Sequence, residues 1–379
     1  MASEETMNVL PTYGRYDVTL TQGDGVWITD PDGKRYLDFV AGIAVVALGH
    51  CHPAVTSAAH AQLDRLWHTS NLYWTEPMTD LATRISSRIG GGQTFFCNSG
   101  AESIEAGLKY ARKATGKSGV IALDQSFHGR TYGALSATGQ PTKHAGFGPM
   151  LPDMRFAQLN DAESLAAAAA DGNVACILLE IIQGEGGINP ASKDFVASTA
   201  ELARNVGALL FVDEIQTGVG RTGSYFAFEQ LGIKPDLVAL AKGLANGLPI
   251  GALVVSNDAP RGLEPGDHGS TFGGNLTACA AACAVDDAIT PAVLENVAAR
   301  GGQLREGLQS LPGVVEVRGR GLLIGCELDQ PAAPVIAECI ERGLLLCPAG
   351  ENVLRLTPPL IIEAEHAEQA IATLWEVLT

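Results

Sequence analysis

The sequence predicts an α/β protein built on a mainly parallel sheet, and three observations support this fold class. Strand-length apolar runs alternate with helical segments between about residue 55 and residue 275. Two of these runs, 208–212 and 236–240, end beside the charged residues Asp213 and Lys242. The last hundred or so residues change to Ala- and Leu-rich helices with short strands between them. The pattern therefore predicts a large α/β domain followed by a smaller α+β domain.

Composition limits the classes of function. The chain has 379 residues and a formal net charge of −17, which argues against a nucleic-acid-binding surface because such a surface needs clustered Lys and Arg. No apolar run approaches the roughly 18 residues that span a bilayer, and the acidic N-terminus does not match a signal peptide. We therefore expect a cytoplasmic protein with no membrane partner. Eight cysteines in a chain of this length do not indicate a disulfide scaffold.

Taken in order, the chain begins with short alternating segments. The Asp32-Gly33 pair lies between two such segments and predicts a hairpin. His50 and His52 lack further ligands at metal spacing, so we predict a structural loop there. Cys279 and Cys283 stand four residues apart on one helix face, where we expect core residues and no metal site.

The middle of the chain supplies the predicted sheet, and the end supplies the second domain. Six strands are predicted, at 94–97, 119–123, 175–182, 208–212, 236–240 and 251–255. Helices at 276–289 and 293–311 then precede two short strands around a glycine turn. We divide the chain into an N-terminal segment (1–45), a large domain (46–275) and a C-terminal small domain (276–379).

Asp213 and Lys242 are the predicted centre of the functional site. Ligands of open parallel sheets bind at the carboxyl ends of the strands, so both side chains should face one crevice. Their pairing suits pyridoxal 5'-phosphate (PLP), which needs a Lys to form a Schiff base and a carboxylate to keep its ring nitrogen protonated. The same Asp213-Glu214 ending is also typical of the metal-holding strand of nucleotide hydrolases.

The nucleotide hydrolase is the weaker alternative. Residues 115–118 read Thr-Gly-Lys-Ser, like the end of a phosphate-binding P-loop. The first glycine of that motif would fall at position 111, which is Ala, and a helical pattern precedes it where a strand is required.

Two longer motifs carry a family resemblance. DEIQTGVGRTG at 213–223 and ALAKGLANGLPIGA at 239–252 closely resemble the signature of the class III, ornithine-type aminotransferases of PLP fold type I. The resemblance implies PLP as cofactor, a seven-stranded sheet, one strand more than we identify, and an N-terminal segment packed on the small domain. It also implies a homodimer with shared active sites, with the segment SNLYWTEP at 70–77 facing the partner.

The phosphate end of the site is predicted at the start of a helix. Ser99 and Glu102 fit a capping box, and the free amides of such a helix start bind anions. The resemblance assigns the phosphate to Ser99, Gly100 and Ala101. It assigns the remaining cofactor contacts to Phe127 (ring stacking), Asp213 (ring nitrogen), Gln216 (phenolate oxygen), Lys242 (Schiff base) and Thr271 with Ser270 (phosphate of the neighbouring subunit). Ser103 and Ile104 depart from the usual AEANEA continuation of the family, inside the helix.

Two arginines and one glutamate define the predicted substrate end. Guanidinium groups suit carboxylates, and the resemblance gives Arg130 and Arg355 this role, with Glu185 as a gate that pairs with Arg355. The predicted substrate-binding residues are Tyr13, Arg130, Glu185, Ser270 and Arg355. The chain is most similar to family members that transfer the δ-amine of N2-acetylornithine to 2-oxoglutarate, giving glutamate, in arginine biosynthesis. Val46, where those enzymes commonly have Asn, leaves succinylornithine, succinyldiaminopimelate, a carrier-linked lysine precursor, ornithine or 4-aminobutyrate as alternative donors.

Overall fold

The computed structural model describes residues 8–379, and a seven-stranded sheet forms its centre. In spatial order the strands are Gly92–Cys97, Gly251–Ser256, Leu237–Leu240, Leu209–Asp213, Val174–Glu180, Gly119–Leu123 and Met154–Ala157. Gly251–Ser256 runs antiparallel to both of its neighbours, and the other pairings are parallel. The expected seven strands are thus confirmed. The one that the sequence pattern missed, Met154–Ala157, is a four-residue edge strand with mostly half-buried side chains.

Helices cover the sheet and connect its strands. Their bounds are Pro53–Leu63, Glu76–Ser87, Gly100–Thr115, Tyr132–Ser136, Pro141–His144, Ala162–Ala168, Lys193–Val206, Leu276–Ala288, Pro291–Gln309, Ala332–Glu341 and Ala364–Leu378, with 3-10 turns at Ala227–Leu231 and Lys242–Ala245. In the Gly100–Thr115 helix, Ile104, Leu108 and Ala111 are buried on one face, as their spacing predicts. This helix lies against the sheet and directs its N-terminus toward the carboxyl ends of the central strands.

Two smaller sheets flank the central one. Val314–Arg320, Leu323–Leu328, Val353–Leu356 and Cys347–Pro348 form one of them, in that spatial order. The other contains Gln22–Asp24, Trp27–Thr29, Arg35–Asp38 and Leu344–Leu345, and a two-stranded ribbon joins Ile182–Gln183 to Asn189–Pro190. Because Leu344–Leu345 pairs with Arg35–Asp38, early residues share a sheet with C-terminal ones. The three-part division of the chain stays a prediction, and its residues 1–7 lie outside the described range.

A left-handed turn follows the Arg35–Asp38 strand. Ala41, Gly42, Ile43 and Ala44 all have positive φ, at 48°, 64°, 66° and 61°. L-residues avoid this conformation, at roughly 1–2 kcal/mol each, so the surrounding contacts must impose it. Asp38 Oδ1 accepts the amides of residues 40 and 41, and Thr357 Oγ1 donates to the carbonyl of residue 40. The turn delivers the next residue, Val45, to the cavity described below.

Several sequence motifs have structural roles. Lys117 donates to the carbonyls of Val206 and Gly207, so it caps a helix C-terminus and does not lie in a phosphate-binding loop. His50 pairs with Asp38, Nε2 to Oδ2, at 2.8 Å. Cys279 and Cys283 are buried in the core. Among residues 8–379, no single helix has the length and apolarity to cross a membrane; only the pair Leu276–Ala288 and Pro291–Gln309, bent by 74°, meets both criteria together.

Candidate active site

Three ionisable side chains meet at the carboxyl ends of adjacent strands. Asp213 is the register partner of Glu180 on one neighbouring strand and of Ala239 on the other. Lys242 follows Ala239 by three residues, at the start of a 3-10 turn. Asp213, Glu180 and Lys242 all line one cavity of about 410 Å³. The strand-end position that the sequence suggested for Asp213 and Lys242 is therefore the one that the fold provides.

Lys242 is held in an unfavourable backbone and electrostatic environment. Its φ is +44°, in the left-handed region that residues other than Gly rarely adopt. Burial lowers the pKa of its amine to about 8; Arg355 adds to this effect, whereas Glu185, Asp213 and Glu180 oppose it. Because the charged form is disfavoured, a much larger fraction of the amine is neutral near neutral pH than for an ordinary Lys. A neutral amine is the form that acts as a nucleophile or a base.

The Asp213 carboxylate is buried and oriented by two contacts. Its Oδ2 lies 2.7 Å from His128 Nδ1, and its Oδ1 accepts the amide of Ile215 at 2.9 Å. His128 is itself buried, and its Nε2 has no hydrogen-bond partner among the described residues. The imidazole and the Ile215 amide therefore fix the orientation of the carboxylate at this strand end.

Glu180 is a second buried acid that the sequence reasoning missed. Its Oε2 accepts the amide of Phe127 at 3.0 Å, and its Oε1 accepts the amide of Gly184 at 3.2 Å. Burial raises the pKa of this carboxyl to about 7; the nearby His128 lowers it and Asp213 raises it further. One side chain thus ties the Phe127 loop to the loop that carries Glu185.

The helix start beside the cavity offers free amides. Ser99 is the N-cap, and its Oγ accepts the amide of Glu102 at 3.2 Å. The predicted capping box is only half formed, because Glu102 Oε2 accepts the amide of Asn98 (2.7 Å) and not that of Ser99. The amides of Gly100 and Ala101 make no hydrogen bond within the described chain, and both residues line the cavity. Free amides at a helix N-terminus attract an anion such as phosphate.

Arg355 lies behind the cavity wall with a carboxylate partner. It is 2% exposed, and its Nη1 donates to Glu185 Oε1 at 2.7 Å, to Gly184 O at 3.1 Å and to Gln216 Oε1 at 3.3 Å. Its Nε contacts Cys347 Sγ at 3.4 Å. Burial alone would raise the pKa of Glu185, but the Arg355 guanidinium together with Lys242 and Lys143 lowers it. Because Gln216 lines the cavity, the Arg355–Glu185 pair adjoins the space where a substrate would bind.

The structure brings most of the predicted site residues together. Eight line the cavity: Ser99, Gly100, Ala101, Phe127, Arg130, Asp213, Gln216 and Lys242. Arg355 and Glu185 adjoin it through Gln216, and Ser270 does so through its Oγ, which accepts from Asn98 Nδ2 at 3.1 Å. Thr271 lies instead on an exposed rim with residues 68–78, and Tyr13 is 72% exposed and does not line this cavity. Those two residues are therefore not brought to the cavity of their own chain.

The cavity lining also includes residues for which no role was predicted, among them Val45, Asn98, His128 and Glu180. A signal existed for Glu180, because it ends a buried apolar run in the same way as Asp213. His128 lies beside two predicted residues, Phe127 and Arg130, in the sequence. Val45 depends on the left-handed turn, for which the sequence gives no signal.

The donor set fits a phosphorylated pyridine such as PLP. Free amides at one end suit the phosphate, the Asp213 carboxylate suits a protonated ring nitrogen, and the buried amine suits an aldehyde carbon. Phe127 and Ile182 contribute apolar surface to the cavity lining. A Cβ on Gly100 would lie 2.8 Å from the Ile215 side chain, so the close packing of Ile215 against the helix start favours glycine there.

Comparison with known proteins agrees with the fit of the cavity to PLP. Residues 11–378 match the family model for class III aminotransferases. The chain is 44% identical to the acetylornithine aminotransferase of Bacillus subtilis (98% of this chain, 97% of the relative) and 46% identical to that of Caldanaerobacter subterraneus subsp. tengcongensis (100% and 99%).

Solved structures resemble the chain over nearly its full length. The N-acetylornithine aminotransferase of Stenotrophomonas maltophilia is 33% identical at a TM-score of 0.84, covering 96% of each chain. The ornithine aminotransferase of Toxoplasma gondii is 33% identical at a TM-score of 0.94, covering 98% of this chain and 92% of its own. These likenesses confirm the predicted fold type. With matches of this length and identity, the chain belongs to the class III aminotransferases, a family that uses PLP.

Proposed function

We propose that the protein transfers the δ-amino group of N2-acetylornithine to 2-oxoglutarate, giving N-acetylglutamate 5-semialdehyde and glutamate in arginine biosynthesis. The acetylornithine aminotransferases named above support this choice at 44% and 46% identity. One observation carries it: the buried Arg355 has a removable carboxylate partner, Glu185, beside the cavity. Such a pair suits a reaction whose two substrates differ in having a carboxylate on the reacting carbon.

The cavity residues would hold PLP by the contacts that their chemistry allows. The amides of Gly100 and Ala101 would bind the phosphate, Asp213 the ring nitrogen, Gln216 the phenolate oxygen and Lys242 the aldehyde carbon. When bound, PLP supplies an electron sink for the pair of electrons left when the substrate carbon loses a proton. His128 holds the Asp213 carboxylate in the orientation in which it would meet the ring nitrogen.

Lys242 would move the proton. With PLP and substrate bound, the Lys242 amine would be the base that takes a proton from the substrate carbon, and its protonated form would be the acid that gives a proton back. Its lowered pKa favours the neutral form that this step needs.

The two arginines would distinguish the substrates. N2-acetylornithine reacts through a terminal amine, so its distant α-carboxylate would reach Arg130 at the open side of the cavity. Glutamate reacts through its α-amine and brings a carboxylate to Arg355, which Glu185 must first release. A buried guanidinium without any partner would be costly, and Glu185 removes that cost while the donor is bound.

We further propose a homodimer. Leu72, Trp74, Trp67 and Phe272 are 85%, 87%, 68% and 60% exposed and lie near Thr271, and large exposed apolar side chains in one region mark an interaction surface. A second copy of the chain covering this surface would bring Thr271 and the neighbouring Ser270 toward the phosphate end of its partner's site. The proposed compartment is the cytoplasm, in keeping with eight cysteines that are all unpaired.

A donor panel tests the proposed function. The PLP-loaded enzyme is mixed with N2-acetylornithine, N2-succinylornithine, succinyldiaminopimelate, ornithine or 4-aminobutyrate, and the change in cofactor absorbance gives kcat/KM for each donor half-reaction. We expect the highest value for N2-acetylornithine. A different donor favoured by about tenfold, a difference of about 1.4 kcal/mol in transition-state binding, would replace the assignment. Failure to bind PLP at all would overturn it.

A further inference from the structure

A short helical turn forms part of the wall beside Glu185. Gln140, which precedes the Pro141–His144 turn, donates through Nε2 to the carbonyls of Gln125 and Ser126 at 3.1 and 3.2 Å. The same Gln125 carbonyl fills the position that a Cβ on Gly186 would take, at 2.5 Å. The turn and the loop that carries Glu185 therefore contact a common backbone segment. Lys143 lies on this turn.

Lys143 is a cation without an ionic partner in residues 8–379. Its Nζ lies 5.7 Å from the centroid of the Phe127 ring, which lines the cavity. Phe127 is tied to the Glu185 loop through Glu180, which accepts the amides of both Phe127 and Gly184. Lys143 and the loop that carries Glu185 are therefore both adjacent to Phe127. Its charge helps to lower the pKa of Glu185, after the larger contributions of Arg355 and Lys242.

The backbone around Glu185 leaves only its side chain free to move. A Cβ on Gly184 would meet the Gln216 amide at 2.2 Å, and one on Gly186 would meet the Gln125 carbonyl at 2.5 Å, so both glycines are closely packed. The Gly184 amide is also bonded to Glu180. By contrast, the Glu185 side chain is 27% exposed and has an open side. Release of Arg355 is therefore a rotation of one side chain and not a loop movement.

We propose that Lys143 is the second partner of Glu185. The Glu185 carboxylate moves from Arg355 to Lys143 when a substrate carboxylate binds Arg355. The proposal rests on the gate role of Glu185 given under the proposed function. Four cations surround the space around Phe127 and Glu185, and three of them are committed: Arg355 to the incoming carboxylate, Lys242 to the reaction and Arg130 to the distant substrate carboxylate. Lys143 is the remaining one. It is a positioning residue, because it acts through Glu185 and touches neither substrate nor cofactor.

Separate measurement of the two half-reactions tests this role. In the PLP-loaded enzyme, Lys143→Met should lower kcat/KM for the glutamate and 2-oxoglutarate half-reaction about threefold to tenfold, as for loss of a half-buried ion pair. The acetylornithine half-reaction, in which Glu185 stays on Arg355, should change less than about twofold. Lys143→Arg should restore the loss. Lys193→Met removes an exposed lysine at the start of a distant helix and serves as the matched control.

A double-mutant cycle identifies the partner. If Lys143 acts through Glu185, Lys143→Met should cause no further loss in a Glu185→Ala background. A loss that persists there, or an equal loss in both half-reactions, would overturn the proposal and indicate that Lys143 binds substrate carboxylates directly. Calorimetric binding of glutarate, which has both carboxylates and no reacting group, gives a readout independent of turnover and should weaken in Lys143→Met only when Glu185 is present.

The Glu185→Ala variant by itself distinguishes failure of the Lys143 proposal from failure of the proposed gate role of Glu185. If that variant leaves the ratio of the two half-reaction rates unchanged, the gate itself is refuted and the Lys143 proposal falls with it. If the ratio changes but Lys143→Met behaves like wild type, only the Lys143 proposal is refuted.

Discussion

Replacing Lys242 with Met in the cofactor-free protein should stabilise the fold at neutral pH. The amine is buried, and its pKa is about 8 against an ordinary value of 10.5. That difference corresponds to about 3 kcal/mol, the free energy by which folding disfavours the charged amine. Met has a similar length and no charge, so it removes this penalty while keeping most of the packing. We expect a gain in the free energy of unfolding of up to about 3 kcal/mol at pH 7.

The pH dependence gives the prediction its sign. Because the folded pKa lies below the unfolded one, the unfolded chain binds more protons between pH 8 and 10.5, and wild-type stability rises with pH across that window. Below pH 8 the full penalty is present in wild type, and above 10.5 it has vanished. The advantage of Lys242→Met should therefore be largest at pH 7, shrink through pH 9 and be nearly absent above pH 10.

Urea unfolding of the two cofactor-free proteins at pH 7, 8, 9 and 10 measures this difference. Lys193→Met, which removes an exposed lysine, should show no such trend. A Lys242→Met protein that is no more stable than wild type at pH 7, or a difference that stays constant with pH, would refute the reasoning. Either result would mean that Glu185, Asp213 and Glu180 stabilise the charged amine at least as much as burial and Arg355 destabilise it.

Three further predictions concern other residues. Asp213→Asn keeps the shape of the side chain but removes the charge that would face the ring nitrogen, so kcat should fall about 100-fold or more while PLP occupancy, read by absorbance, shows whether binding survives. Ser103→Ala removes a buried hydroxyl that donates to the Ala252 carbonyl at 2.7 Å; urea unfolding should show a loss of about 1 kcal/mol with kcat unchanged, and an altered kcat would contradict a purely structural role. Trp74→Asp places a charge at a position that is 87% exposed in the single chain. If this surface joins two copies, sedimentation velocity should show a monomer, and a separate assay should show reduced activity.

The sheet and the centre of the site could be predicted because both depend on local patterns. The run at 208–212 is apolar throughout, and the run at 236–240 is apolar after its first residue, Asp236, as is typical of buried parallel strands. A charged residue at the carboxyl end of such a strand lies at the edge of the sheet where ligands bind. The Met154–Ala157 strand was missed because an edge strand of four residues carries neither a continuous apolar run nor clear alternation. Glu180 was not predicted, although it lies at the carboxyl end of a buried strand, which is the position that identified Asp213.

Other features depend on contacts between distant segments, which no local pattern reports. The Ser99 capping box was predicted from spacing, yet Glu102 bonds to the Asn98 amide because Asn98 is also held by Ser270, far along the chain. The pairing of Arg355 with Glu185 joins residues 170 positions apart. The family resemblance supplied that pair, whereas the residues by themselves indicated only two separate charged side chains.

Contacts between distant segments also maintain the strained backbone around the cavity. Lys242 and Ile43 both have positive φ, and Asn246 connects their segments: its Oδ1 accepts the amide of Leu48 at 2.7 Å and its Nδ2 donates to the carbonyl of Gly49 at 2.9 Å. Asn246 is itself left-handed, with φ of 51°, a conformation that Asn tolerates better than most residues. One side chain therefore holds the turn that begins at Lys242 against the segment that follows the left-handed turn. Because strained residues persist only where surrounding contacts over-determine them, these long-range bonds keep Lys242 and Val45 facing one cavity. The stability of the buried sheet offsets the energetic cost of this strained and charged site.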